Sequence, residues 1–427
     1  MPLRIAVVGG GWAGIAAAVA ATEAGHRVTL FEMAPQLGGR ARRVDEALDN
    51  GQHILIGAYS ETLALMRQVG ADPEALLCRL PLALVDPHGN GLRLRAGAPV
   101  PAFVRAVAAH SAWSLGERAS LLWAALHWRL SGFEADAALS VAELTRGLAP
   151  RVRESLIEPL CVAALNTPAD RASAQVFLRI LRDALFSGPG SADLLLPRVP
   201  LSALLPEPAA RWLAAAGVEL RTSTRLTTLT ATSEGWAADG QAFDAAVLAC
   251  SAVESARLAS PIAPQWSRCA AAFDYEPIVT VFLQSRGTRL RDPMTSLHSS
   301  ADAPAQFVFD LGAIDGGGAR EGLFAFVVSG ARVWVERGLE ATAQATLNQA
   351  RTAFAADTWR EPPQVFRTLA ERRATFLCTP GLVRPPAGIA PRLVAAGDYV
   401  EGPYPATLEG AVRSGRAAIA RIPNSGV

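Results

Sequence analysis

The residues with the plainest chemical purpose are three glycines and an acid near the start of the chain. Gly9, Gly11 and Gly14 stand in the order G-x-G-x-x-G, and Glu32 follows about twenty residues on. The first glycine permits a tight turn. The second lets backbone approach a pyrophosphate with no Cβ in the way. The third lets a helix and a strand pack closely. The N-terminus of the helix that follows offers free N–H groups and a positive dipole end to phosphates near Trp12 and Ala13, and the carboxylate of Glu32 accepts a ribose hydroxyl. These types at this spacing suit a dinucleotide.

Three further groups carry chemistry. Gly38-Gly39-Arg40 allows a second close backbone approach and supplies a guanidinium for phosphate oxygens. Nicotinamide enzymes have no general need of it. Asp49-Asn50-Gly51-Gln52-His53 is a turn ending in a histidine, which can titrate near neutrality and donate a proton. The other reading of His53, a side chain that caps its turn, stands beside it. Near the end of the chain Gly397-Asp398 closes an apolar run, and Tyr404, Thr407 and Leu408 precede a last helix. An aspartate at a strand end can accept a hydroxyl, and the N-terminus of that helix can bond a polar ligand edge and stabilise negative charge there.

The elements that must position these groups can be read from pattern. Residues 4–8 and 27–31 are apolar runs with strand composition, and the Ala-rich stretch 15–24 between them is a helix closed by Gly25. Residues 5–22 carry no charge, as a signal peptide or membrane span would. Consecutive glycines weaken a spanning helix, and the apolar character equally suits a parallel strand buried on both faces. Residues 218–221 and 245–249 read as further strands, 206–216 as a helix, and 226–232 with 235–238 as a hairpin. Residues 278–283, 305–311 and 323–328 are strands, 335–355 is one helix, and Gly89-Asn90-Gly91 is a hairpin turn. Residues 102–130 are helical, rich in Leu and Trp. Either they form a buried helix pair, or they present a surface to a membrane. Arg105, Glu117, Arg118 and Arg129 argue against a full span. Residues 140–187 are further helices, in which Glu158 is either a buried acid of raised pKa or a helix-terminal residue.

The expected class is α/β with an α+β part: a Rossmann-like nucleotide domain with an interleaved mixed-sheet and helical substrate domain. Residues 1–79, 200–262 and 377–427 are assigned to the first, 80–199 and 263–376 to the second. The length of 427 residues allows this, and 50% hydrophobic residues supply a large core. A net charge of +1 with no basic block gives no reason to expect nucleic acid. The five cysteines form no C-x-x-C, so no metal site or disulfide framework is expected, and a reducing cytosol suits them. The chain has no lysine, which removes any mechanism that needs one.

The Gly-Gly-Arg segment and the residues from Gly397 to Gly415 resemble those of FAD-binding oxidoreductases of the amine oxidase and carotenoid desaturase superfamily. The resemblance implies FAD as cofactor. It implies that Gly51, Gln52 and His53 lie near the isoalloxazine and that backbone near Leu226 contacts adenine. Amine oxidases of the superfamily usually hold a water under the flavin with a lysine, so its absence argues against amine oxidation. Scarce tyrosines supply a poor cage for an amine. Across its length, and through residues 160–168 as well, the sequence is similar to the squalene-associated flavoproteins, the hydroxysqualene dehydroxylases of bacterial hopanoid biosynthesis. That likeness implies reductive removal of an allylic hydroxyl, an apolar triterpene substrate and an electron donor not visible here. His53 is the first choice for the proton donor and Tyr404 the second. A cytoplasmic protein in peripheral contact with the inner membrane is expected. The rival readings are a phytoene-type polyene desaturase, running hydride the other way, and a non-enzymatic prenyl-lipid carrier like the Rab GDP dissociation inhibitors.

Overall fold

The structure is a computed structural model and describes residues 1–46 and 48–423. Its centre is a six-stranded sheet in the order Gly388–Ala390, Leu393–Ala395, Ala245–Leu248, Arg4–Val8, Arg27–Phe31, Glu219–Arg221. Arg4–Val8 pairs in parallel on both sides, with Val7 opposite Leu30 and Val247. A strand covered on both faces needs apolar residues at consecutive positions, and Ile5 to Val8 are all buried. Only the edge strand Gly388–Ala390 runs antiparallel.

Helix Trp12–Glu23 crosses from the first strand to Arg27–Phe31. It is apolar nearly all round because it is covered twice, by the sheet and by the last helix, Leu408–Ala420. The two helices approach so closely that a Cβ on Gly415 would run into Ala13 O. The uncharged stretch 5–22 is therefore core, not a span. Among the described residues, no helix is long and apolar enough to cross a membrane.

A three-stranded antiparallel meander, Leu229–Ala231, Trp236–Ala238 and Gln241–Phe243, stands beside this sheet. A second large sheet is fully antiparallel, in the order Met294–Ser296, Phe307–Asp310, Leu323–Val328, Tyr275–Gln284, Gln364–Phe376. Its longest strand, Gln364–Phe376, has no counterpart in the sequence reading. It is an edge strand, mostly half-buried or exposed, and its Arg367, Glu371, Arg372 and Arg373 hide the apolar alternation. The single helix expected over 335–355 is two, Arg332–Arg337 and Leu339–Ala353, because Gly338 between them takes φ +98°.

Helices Pro99–Ala108, Leu115–Leu130 and Ala174–Phe186 form a separate wall. Ser114 and Glu117 start the second with reciprocal capping bonds. Trp113, Leu121 and Trp128 are buried beneath it, while Leu115, Trp123 and Leu130 are 80%, 73% and 78% exposed. Residues 102–130 are thus a helix pair with an inner packed face and an outer apolar face. Glu158 is exposed and lies in a continuous helical run after the π turn Arg153–Ile157. It is neither a buried acid nor at a free helix end.

Candidate active site

The N-terminal glycines form a tight turn ahead of the first helix. Gly9 takes φ +109°, and a Cβ there would lie 2.6 Å from Ala249 O. A Cβ on Gly14 would run into Gly9 O, so Gly14 sits under the turn as a packing residue and not in the wall of the groove. Gly11 differs: the nearest protein atom to a Cβ there is Gly39 Cα, at 3.9 Å. Gly38 N donates to Gly10 O at 2.8 Å, which brings the two glycine segments face to face. Trp12 Nε1 donates to Ala41 O at 3.1 Å and pins the second segment to the first helix. Glu32 is buried and accepts from Gly10 N and Ala34 N, both at 2.7 Å. Each of its oxygens retains acceptor capacity.

Gly9, Gly11, Trp12, Glu32, Gly38 and Gly39 line a groove of about 640 Å³. Ala13 and Leu226 are also in its wall, and Gly51, Gln52 and His53 line its middle. Gly397, Asp398, Thr407 and Leu408 line it from the other end of the sequence. The two ends are joined directly: Arg40 Nη2 meets Asp398 Oδ2 at 2.6 Å, and Arg40 Nη1 donates to Ala374 O at 2.8 Å. Asp398 drives the Arg40 pKa upward, against the lowering effect of burial. Arg40 was expected on phosphate; in the structure its guanidinium is committed to Asp398 and the backbone of the long edge strand. Thr407 caps the last helix, accepting from Gly410 N at 2.9 Å and donating to Tyr404 O at 3.0 Å. That leaves the first turn of the helix facing the groove at Thr407 and Leu408.

His53 Nδ1 lies 3.3 Å from Gly51 O. Burial, with Arg40 adding to it, pushes its pKa down to about 4. In this setting it is a neutral imidazole at pH 7 and not an imidazolium acid; its one ring proton lies on Nδ1 and is donated to Gly51 O, which leaves Nε2 as an acceptor. Both readings of His53 therefore meet in one residue, since it bonds its own turn and faces the groove.

A second space of about 340 Å³ opens from the groove and is walled mainly by aliphatic and aromatic side chains. Ile54, Tyr59, Ala163, Ala164, Phe307 and Thr407 line both. Tyr404 belongs to this chamber and not to the groove. Burial, and then Asp183, raise its pKa. Tyr59, at the junction, is raised further, by burial and then Glu409.

Several contributors were not visible in the sequence. Tyr59 follows no motif. Glu371 accepts from Asn50 Nδ2 at 2.9 Å and comes from the unrecognised edge strand. Ala406 takes φ +56° beside Thr407, a strained position for a residue with a Cβ. Asn166, singled out only within a diagnostic stretch, is left-handed at φ +47° and ends helix Glu158–Leu165. Its Nδ2 donates to Glu276 O and Thr375 Oγ1, both at 3.0 Å, and its Oδ1 accepts from Gly330 N at 2.7 Å.

The groove fits a flavin dinucleotide on two observations. The approach at Gly11 is open where a side chain would fill it. Thr280 Oγ1 is buried in the groove wall with no hydrogen-bond partner among the described residues, a group that calls for a polar occupant.

A family model described as flavin containing amine oxidoreductase matches residues 12–423. The chain is 27% identical to a hydroxysqualene dehydroxylase of Sinorhizobium fredii, with 98% of each chain covered. It is 28% identical to the hydroxysqualene dehydroxylase of Rhodopseudomonas palustris, again over 98% of each. Among solved structures, an oxidoreductase from Methanosarcina mazei superposes with a TM-score of 0.75 at 15% identity, covering 98% of this chain and 100% of that one.

Proposed function

The chain belongs to the flavin containing amine oxidoreductase family and is an FAD-dependent oxidoreductase, and from that premise we propose that it converts hydroxysqualene to squalene. The observation that carries this reading is the apolar chamber opening into the groove at Ile54, Tyr59 and Thr407. A hydrocarbon chain held there reaches the groove without meeting bulk water. The likeness to hydroxysqualene dehydroxylases over nearly the whole chain names the substrate.

In this reading Gly9, Gly11, Trp12 and Ala13 hold the pyrophosphate, Glu32 a ribose, and Leu226 the adenine side. Gly38, Gly39 and Arg40, with Gly397 and Asp398, hold the middle of the cofactor. Thr407 and Leu408 face its ring with the last helix, and Gly51, Gln52 and His53 lie along it. Reduced FAD supplies a hydride. The C–O bond of the substrate breaks, a C–H bond forms, and the hydroxyl leaves with one proton as water. The chain must orient the allylic carbon, exclude solvent and direct that proton. In this reading Tyr404 is the hydrogen-bond donor on the chamber side, and His53, whose one ring proton is donated to Gly51 O, offers Nε2 to the groove as an acceptor. The 340 Å³ chamber is small for thirty carbons, so the chain extends outward past Val104 and Leu126, which line the chamber and are exposed. Leu115, Trp123 and Leu130 then make the outer face a contact for a bilayer that supplies the substrate.

The test is anaerobic incubation of the reduced holoenzyme with hydroxysqualene, followed by mass analysis. Squalene is expected. Recovery of unchanged substrate with full flavin occupancy overturns the reading. Oxidised enzyme that instead dehydrogenates a polyene would establish the desaturase direction.

A further inference from the structure

The chamber wall contains two carboxylates that the reaction outlined above does not use, and they differ in how far their oxygens are engaged. Asp183 lies in helix Ala174–Phe186, among Ile180, Leu181 and Ala184, which line the same space. Its Oδ1 accepts from Arg182 Nε at 3.1 Å. Its Oδ2 is buried and has no hydrogen-bond partner among the described residues. The other acid in this wall, Glu409, is fully engaged. Its oxygens accept from Glu61 N, Thr62 N, Thr62 Oγ1 and Arg413 Nε at 2.7 to 3.1 Å. A carboxylate in the wall of an apolar space is costly, and Oδ2 has no donor at full hydrogen-bond distance to offset that cost. Tyr404 lies in the same wall with its hydroxyl turned toward the Asp183 carboxylate, and this contact, after burial, raises its pKa.

We propose that Asp183 is the receptor for the substrate hydroxyl, with Tyr404 beside it, and that this pair distinguishes the alcohol from the hydrocarbon. Oδ2 accepts the hydroxyl proton in a hydrogen bond, and the Tyr404 hydroxyl donates to the substrate oxygen. Two polar contacts then fix one carbon of an otherwise featureless chain in the chamber. The product has no hydroxyl. On its formation Asp183 and Tyr404 are left with each other alone, so the site favours release of hydrocarbon and entry of alcohol. A site built to bond a hydroxyl rejects the analogue that lacks it far more strongly than an apolar pocket rejects a change of size. The identity of the ligand rests on the proposed reaction, while the recognition of a hydroxyl rests on the chamber.

The experiment measures equilibrium binding of hydroxysqualene and of squalene to the oxidised holoenzyme, which does not reduce the alcohol. Bound ligand is extracted and quantified by mass. The wild type is expected to prefer the alcohol by at least about tenfold. Asp183→Leu is expected to bring the ratio close to one without weakening squalene binding, and Asp183→Asn to give an intermediate ratio. Flavin absorbance and a thermal melt check the fold of each variant. If Asp183→Leu does not fold, Asp183→Asn alone decides, and an unchanged ratio there overturns the proposal. So does a wild-type ratio near one. Conversion of hydroxysqualene by the reduced wild type, with a preference indifferent to residue 183, leaves the reaction standing and removes Asp183. A preference that depends on Asp183 without any conversion does the reverse.

Discussion

At the scale of single residues, titration separates structural from chemical roles. Burial pushes the Asp49 carboxyl up to about 6, and its Oδ1 accepts from Leu201 N at 2.8 Å. A raised folded pKa means that the folded state holds the proton more tightly than the unfolded chain. Stability from this group is therefore greatest in acid and is lost as pH rises through about 4 to 6. Asp49→Asn keeps the acceptor for Leu201 and cannot ionise. It is expected to stabilise the protein by about 1–2 kcal/mol near pH 7.5, a figure discounted for partial exposure, and by almost nothing near pH 4. Thermal melts at the two pH values check this, and an equal gain at both sinks it. His53 has the opposite sign. Its folded pKa of about 4 lies below the ordinary 6.5, so its contribution is present above 6.5 and lost as pH falls through 4. An NMR titration of the His53 ring in the oxidised protein should show its midpoint near 4. A midpoint near 6.5 would restore the imidazolium acid that the sequence suggested.

At the scale of elements, the strand–turn–helix at the start can be tested without disturbing the fold. Gly11→Val places its side chain in open groove, where the nearest protein atom to Cβ is at 3.9 Å. Its extended φ of −69° suits a branched residue. The variant is expected to melt as an apoprotein at the wild-type temperature while FAD affinity falls at least about tenfold. Loss of folded apoprotein would instead make Gly11 a packing residue like Gly14. Asn166 makes the contrary case. Replacing it with Leu strands Glu276 O, Thr375 Oγ1 and Gly330 N, and a Leu is strained at φ +47°. A loss of about 2–4 kcal/mol in denaturant unfolding is expected. Asn166→Gly, which relieves the backbone but not the bonds, should fall between. These two residues show what the sequence made legible. Gly11 sits in a local pattern whose neighbours in the chain are its neighbours in space, so the strand, turn and helix around it could be read from the chain. Asn166 ties together segments more than a hundred residues apart, and nothing near it in the chain announces them. The strand Gln364–Phe376 was missed for a related reason. Its charged residues suit an edge with solvent on one side, and they break the alternation that marks a strand.

At the scale of the whole molecule, two distant motifs were legible because one cofactor requires both, and the Arg40–Asp398 contact at 2.6 Å shows the fold closing them on each other. The chamber was not legible. Its wall is drawn from separate helices and strands whose apolar residues look like ordinary core until their packing leaves a space. The outer face of the helix pair lies between these cases, since its composition supported either burial or a membrane surface. Packing decides part of that question. Leu121 and Trp128 are inside, whereas Trp123 and Leu130 remain in solvent beside a chamber lined by the exposed Leu126. Removing exposed apolar side chains takes little from the folded core, because they bury almost nothing in it. Joint replacement of Trp123 and Leu130 by Ser is therefore expected to leave the melting temperature within about 1 °C. The same change should reduce flotation with liposomes severalfold, since an interfacial helix binds in proportion to the apolar area it buries. A wild type that never floats, or a variant that floats undiminished, would show that this face meets something other than lipid. The alcohol would then have to reach the chamber on a carrier, and turnover would depend on that carrier instead of on bilayer composition.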